Sequence, residues 1–319
     1  MAFLPRVSRL FAPRPPAVGI EIAADRITGV ALGRGRQAAV ASVITERLPE
    51  GALVPAANAT NVVDRSAVTD ALTRVLRQLP GNPTRLGLVV PDSAAKVSLM
   101  TFEHVPLKAA DLDELVRWQA KKAAPFRIED TQVTYSSGVA NADGGRDFVV
   151  SLMRRDIVEE YESVCSGAGG HAGVVELASF SQLNAILAAG AESGVDWLLI
   201  HVAQGYSTIA VVRQGQLILF RNRPGEADAN LTELVHQTTM YYEDRLEGTG
   251  FGRVYLAASA ATTTAEDAAN LRDSLESRLG VAVRPIALAR TDTSGALPDL
   301  LAAPLGLLLR EHSPSETQV

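Results

Sequence analysis

Glu21 and His201 are the side chains whose setting first suggests chemistry. Each lies near the end of an apolar run that opens a three-strand meander. The first meander is Val18–Ala23, Ile27–Leu32 and Gln37–Thr45; the second is Trp197–Val202, Ser207–Arg213 and Gln216–Arg223. Laying one on the other puts Glu21 on His201 and Ala23 on Ala203. A carboxylate in such a place could orient a magnesium-bound water, whereas an imidazole, mostly uncharged at neutral pH, is a poor ligand for a hard cation. A Glu–His ion pair across a cleft is the structural alternative. The other histidines, His104, His171, His236 and His312, lack metal-ligand spacing. No serine sits in a nucleophile elbow. The glycine-rich Gly167–Gly173 follows a helical pattern rather than a strand, so it reads as a helix C-cap and connector, not a phosphate loop. Cys165 beside it reads as a small packed hydrophobe.

These residues need a framework, and composition bounds it. The chain has 319 residues, 47% of them hydrophobic, enough for about two domains at roughly 100–200 residues each. A net charge of −6 argues against nucleic acid as a partner, because phosphate binding needs a concentrated basic face. The single cysteine excludes a disulfide framework and fits a reducing compartment. No apolar run approaches the length of a membrane span. The opening MAFLPRVSRLFAPRPP has an apolar helical face and three arginines, but one or two turns bind bilayers weakly, so it reads as a mobile leader.

Between and after the meanders the pattern alternates. Ser66–Leu79 carries an apolar helical stripe, and Arg85–Val90 is a buried-type strand stopped by Pro91-Asp92. Strands at Val97–Phe102, Gln132–Val139 and Asp147–Met153, with helices at Leu107–Ala124 and Arg155–Ala168, form a small α+β module. Trp118 with Arg117, Lys121 and Lys122 reads either as a contact face of that module or as a solvated helix side. A short strand at Gly173–Ala178 and a helix at Phe180–Ala189 lead to the second meander. Helices at Leu231–Leu246, Thr264–Leu279 and Leu300–Arg310 and strands at Arg253–Ala257 and Val281–Ile286 complete the chain. Two meander-led halves imply a duplicated α/β unit.

That pattern resembles the actin/Hsp70/sugar-kinase fold, and the small insertion in the first half resembles the FtsA branch. An ordered series narrows it to the type IV pilus assembly protein PilM family. The series is VGIEIAADRITGVAL from Val18, LPEGAL at Leu48–Leu53, VPLKAADLDELVRWQAKKAAPFRIED, AGVVELASFSQLNAIL at Ala172–Leu187, Tyr241-Tyr242 and PLGLLLR at Pro304–Arg310. The resemblance implies a duplicated actin-like (ribonuclease H-like) α/β fold with a small inserted α+β subdomain. The expected division is a leader (1–17), actin-like subdomain 1A (18–95), the insertion (96–170), the second half with subdomains 2A and 2B (171–310) and a disordered tail (311–319).

The resemblance also implies a nucleotide cleft, and here the sequence departs from it. Relatives with working sites carry Asp-x-Gly-Ser/Thr where this chain has Glu21-Ile22-Ala23-Ala24, and a lysine that often follows is Thr28. The second Asp-x-Gly is His201-Val202-Ala203, followed by Gly205, Ser207 and Thr208, which could still donate to an anion. The Gly-Gly turn against adenosine is Ala257-Ala258-Ser259. A methyl in place of glycine obstructs backbone N–H groups from closing on phosphate. The expectation is a degenerate cleft without hydrolysis, no cofactor, and residual Mg-ATP binding as the open alternative. The implied role is a cytoplasmic scaffold, held at the inner membrane through its partners, that binds the cytoplasmic tail of a single-span PilN-like protein and connects to other pilus inner-membrane and motor proteins. The expected groove lies between the edge of Arg85–Val90 and the module, with Leu88, Val90, Val97, Leu99 and Met100 as contacts. The alternatives are an ATP-binding or hydrolysing actin/FtsA-like protein and a scaffold of a type II secretion-related system.

Overall fold

The structure, a computed structural model, describes residues 16–33, 39–140, 144–190, 194–225, 227–258, 265–288 and 298–312. Most of the leader, the Gly33–Arg36 turn beyond Gly33, most of the Asn141–Gly145 turn, Ser259 and the end of the polar tail lie outside the described residues.

The chain builds the same sheet twice. In the first, β1 (Val18–Ile22), β2 (Arg26–Leu32) and β3 (Val40–Arg47) form the meander. Helix α1 (Arg65–Gln78) leads to β4 (Arg85–Val90), which lies parallel to β1. The module follows: β5 (Lys96–Phe102), α2 (Ala109–Ala123), β6 (Thr131–Ala140) and β7 (Arg146–Arg154). Helix α3 (Arg155–Gly167) then returns the chain to β8 (His171–Leu177), parallel to β4, and α4 (Ala178–Ala188) closes the unit. The second unit repeats this without an insertion. It runs β9 (Trp197–Ala203), β10 (Tyr206–Arg213), β11 (Gln216–Pro224), α5 (Ala227–Leu246), β12 (Arg253–Ala258), α6 (Ala265–Leu279), β13 (Val283–Arg284) and α7 (Pro298–His312). The two strand orders, β3-β2-β1-β4-β8 and β11-β10-β9-β12-β13, are topologically identical.

Local chemistry explains the elements. Asp64 caps α1 by accepting the Ala67 N–H at 2.9 Å, and Val68, Ala71, Leu72, Val75 and Leu76 form the buried stripe that the periodicity predicts. Burying each large aliphatic side chain contributes about 1.5–3 kcal/mol. Between β10 and β11 the two-residue loop Gln214-Gly215 has φ of 51° and 76°, the double left-handed turn that matches strand twist.

The expected boundary at residue 171 does not coincide with the sheets. β8 belongs to the first sheet as its parallel edge, and α3 is that sheet's crossover helix, with Ile157, Tyr161, Val164 and Cys165 in the main core. The insertion therefore occupies only the span between β4 and α3. β-Pairing partners far apart in sequence leave no local trace, so the predicted short strand at Gly173–Ala178 gives no local sign that it pairs with β4. The expected strand at Val281–Ile286 shortens to Val283–Arg284.

The terminal helices cross over. α7, from the second unit, packs on β1, β2 and β4 of the first sheet and against α4. A Cβ on Gly19 would lie 2.4 Å from the Pro304 carbonyl oxygen, and one on Gly87 would lie 2.2 Å from Leu307, so hydrogen at these positions lets α7 sit flush on the sheet. Helix α4 meets the second unit, with Phe180 against Phe220 on β11 at 5.4 Å between ring centres. In the module, one face of the sheet β5-β7-β6 packs on α2 through Met100, Phe102, Val116, Ala120, Phe148 and Val150.

Candidate functional site

Between the two sheets lies a cleft whose walls come from equivalent positions. Glu21 pairs with Thr28 across β1 and β2, and His201 pairs with Thr208 across β9 and β10, so the predicted superposition holds in three dimensions. Glu21, Ala23, His201, Ala203, Ala257 and Ala258 line one cavity, joined by Arg26, Gln182 and Tyr206. Its volume is about 20 Å³. A single water needs about 10–15 Å³ on this measure, whereas small-molecule sites run to roughly 300–1,000 Å³.

Arg26 lines this space from the first sheet. Its guanidinium holds both Asp25 carboxylate oxygens at 3.0 Å and lies 3.5 Å from Glu21. Glu21 is buried, and burial pushes its carboxyl above the ordinary value of 4.5 despite the attraction of Arg26 and His201. Its Oε2 has no hydrogen-bond partner among the described residues.

The strongest polar feature of the cleft is one that sequence reasoning missed. Asp92, read from sequence as part of a strand stop, is fully buried just beyond β4. Its Oδ1 accepts the Ser179 N–H at 2.9 Å. Its Oδ2 accepts the hydroxyls of Ser179 at 2.5 Å and Thr208 at 2.7 Å, and lies 3.3 Å from His201 Nδ1. Asn222 on β11 donates to Thr208 Oγ1 at 3.0 Å and accepts from Ser93 Oγ at 2.9 Å. Burial would push the Asp92 carboxyl up; its bonds from His201 and Ser179 outweigh that and hold it below the ordinary aspartate value. Asp92 and Ser93 thus fasten the loop after β4 to three strands of the second sheet. Tyr206 sets its ring edge-on to His201 at 5.5 Å.

Four expected cleft residues do not line the cavity. Thr28 is fully buried and shares a hydrogen bond with Thr45 at 3.3 Å. Thr208 is committed to Asp92, and Ser207 is buried on the neighbouring strand position. Gly205 makes the β9–β10 turn with φ 83°, its carbonyl accepting the Gly225 N–H.

A second concavity runs between the module and the body. Two adjoining cavities of about 340 and 480 Å³ share Thr134, Ser151, Glu176, Phe180 and Arg310. One wall is the outer face of β6 and β7. The other is β8 with α4, ending near the exposed Leu187, and the β10–β11 hairpin closes one end with Val212, Gly215, Gln216 and Leu217. At the junction Glu176 accepts from Ser181 Oγ at 2.8 Å and pairs with Arg310. Of the expected contacts, Val90 lines this groove. Leu88 does not: β4 is an interior strand between β1 and β8, and Leu88 is fully buried. Met100 points into the module's own core, while Val97 and Leu99 pack on the main core. The missed lining, Thr134 and Ser151, carried a signal: polar Gln132, Thr134 and Ser136 alternate along β6, where a doubly covered sheet would be apolar, and Ser151 interrupts the apolar run of β7.

A duplicated sheet unit, closed on a central cleft and carrying a three-stranded module on its first half, defines an actin-like α/β protein. A family model described as type IV pilus assembly protein PilM matches residues 19–245, and the chain belongs to that family. The chain is similar in fold to a solved PilM-PilN type IV pilus biogenesis complex, with TM-score 0.79 and 18% identity over 95% of this chain and 100% of that one. It is also similar to a Bacteroides thetaiotaomicron protein with an actin-like ATPase fold and unknown function, with TM-score 0.52 and 12% identity over 85% and 91% of the two chains. No curated protein matches the sequence. Among the described residues, no helix is long and apolar enough to cross a membrane.

Proposed function

We propose that this chain is a scaffold of type IV pilus assembly that seats the cytoplasmic tail of a PilN-like single-span protein in the groove between the module and β8. It acts on the cytoplasmic side, reaching the inner membrane through that partner. The observation that carries this reading is the contrast in space: cavities of about 340 and 480 Å³ in the groove against about 20 Å³ in the central cleft. The groove also offers hydroxyls from β6 and β7 on one side and the apolar Val175, Leu177, Phe180, Leu183 and Leu187 beside the Glu176–Arg310 pair on the other, which suits an extended or short helical peptide with apolar anchors on one side. The test is calorimetric titration with the partner's tail peptide. Thr134→Arg puts a long cation across an exposed strand position shared by both cavities, and should weaken binding at least roughly tenfold, about 1.4 kcal/mol, at unchanged Tm. Binding unaffected by Thr134→Arg and by Leu187→Asp would move the tail elsewhere.

The central cleft, in the same proposal, is structural. Phosphoryl transfer needs a metal, a positioned water and a phosphate cradle together. Here Arg26 lines a space of only about 20 Å³, and Asp92 is committed to Ser179, Thr208 and His201. Mg-ATP at millimolar concentration should leave Tm unchanged and release no phosphate; turnover abolished by Glu21→Ala would overturn this part while leaving the groove reading intact.

A further inference from the structure

The module presents one helical face that nothing in the described fold covers, and we propose that it pairs antiparallel with the same face of a second copy of this chain. Helix α2 fully buries only Val116 and Ala120. Trp118 is 59% exposed, and Leu107, just ahead of the helix, is 104% exposed. At about 100° per residue, Asp111, Glu114, Trp118, Lys121 and Lys122 fall on one stripe of the helix. The acidic pair comes first along it and the basic pair last.

This order selects the occupant. An anionic lipid surface would attract Lys121 and Lys122 but meet Asp111 and Glu114 on the same stripe. A copy laid antiparallel complements both ends at once. A twofold axis beside Trp118 sets Glu114 near Lys121 of the second copy and Asp111 near Lys122 of the second copy, and symmetry repeats each pair. The two Trp118 rings meet at the axis, where an aromatic anchor contributes most. The monomer's own contacts yield easily. Lys121 pairs with Glu129 at 3.3 Å, but both side chains are more than half exposed, so the pair stabilises little. Lys122 lies over the Trp118 ring at 3.7 Å and shields it until a partner ring replaces it. One helix pair buries less than the roughly 1,200 Å² of a standard interface, so the dimer is weak and salt-sensitive.

Sedimentation velocity of the whole chain, over a concentration series at low and high salt, tests this. The sequence has two tryptophans, and Trp197 is 1% exposed, so a blue shift of emission on association reports Trp118. The expected result is a concentration-dependent dimer that weakens with salt. Glu114→Lys and Lys121→Glu should each weaken it at least roughly tenfold, about 1.4 kcal/mol. Mixing the two variants should restore association, because one copy then offers cations at both positions and the other offers anions. A chain monomeric throughout, self-association indifferent to both reversals, or a mixture no better than either variant alone would each overturn the proposal. So would a Trp118 blue shift that appears only with vesicles of phosphatidylglycerol and phosphatidylethanolamine while the chain stays monomeric.

Discussion

Replacing Asp92 by Asn tests whether the cleft is a fastening. The carboxylate is fully buried and faces four groups that can donate to it, three of them converging on Oδ2. The amide has nearly the same shape but one acceptor oxygen. If that oxygen keeps the Ser179 N–H, the NH₂ group turns toward the Ser179 and Thr208 hydroxyls and the His201 ring. The hydroxyls can rotate to accept, but their charge-assisted bonds are lost. Losing one or two such bonds at roughly 1.5–3 kcal/mol each predicts a destabilisation of about 1.5–6 kcal/mol. The assay is urea unfolding followed by circular dichroism, repeated from neutral pH downward. Because the folded carboxyl titrates below its ordinary value of 3.8, its contribution is present above that value and is lost as pH falls through the folded one. The wild-type acid limb should therefore be steeper than that of the variant, and the difference should shrink toward low pH. A variant within about 0.5 kcal/mol of wild type, with the same acid limb, would refute the fastening role.

Glu21→Gln should behave with the opposite sign. Burial holds the Glu21 carboxyl above 4.5, so the native state favours its protonated form and its contribution to stability falls as pH rises through the folded value; the variant should gain on wild type from acid to neutral pH in the same urea series. Gly306→Ala should be severe, since its Cβ would lie 1.8 Å from the Ser181 carbonyl oxygen where α7 crosses α4; a loss of about 1–3 kcal/mol or more and a lower Tm are expected by calorimetry. Cys165, the sole cysteine, is buried with its thiol pushed up to about 12, so a chromogenic disulfide reagent should leave it unmodified until the chain unfolds in denaturant.

Much of the fold was readable because its elements announce themselves locally. Glycine turns at Gly205 and Gly215 separate the strands of the second meander, Pro80-Gly81 closes α1, and strand and helix ends fall within a few residues of their predicted places. What was not readable is long-range. The pairing of β8 with β4 made Leu88 an interior residue rather than a groove contact, and only that pairing decides which strand is an edge. Parity along β5 likewise turns Met100 inward and leaves Val97 and Leu99 toward the body. In the cleft, Glu21, Ala23, His201 and Ala203 could be placed because a repeat relates them. Asp92 could not, because its partners Ser179, Thr208 and His201 come from three later elements and no spacing in the sequence links them.

The docking of α7 on β1, β2 and β4 has a consequence for how the molecule is made. Pro304 and Leu307 close against Gly19 and Gly87, so the first sheet to leave the ribosome cannot cover that face until nearly all of the intervening chain has been synthesised. During translation that side of the sheet stays open, and rapid closure of the first unit alone is denied to it. A nascent chain stalled before residue 298 should therefore be captured by chaperones and protease-sensitive within β1–β4, and become resistant once α7 emerges.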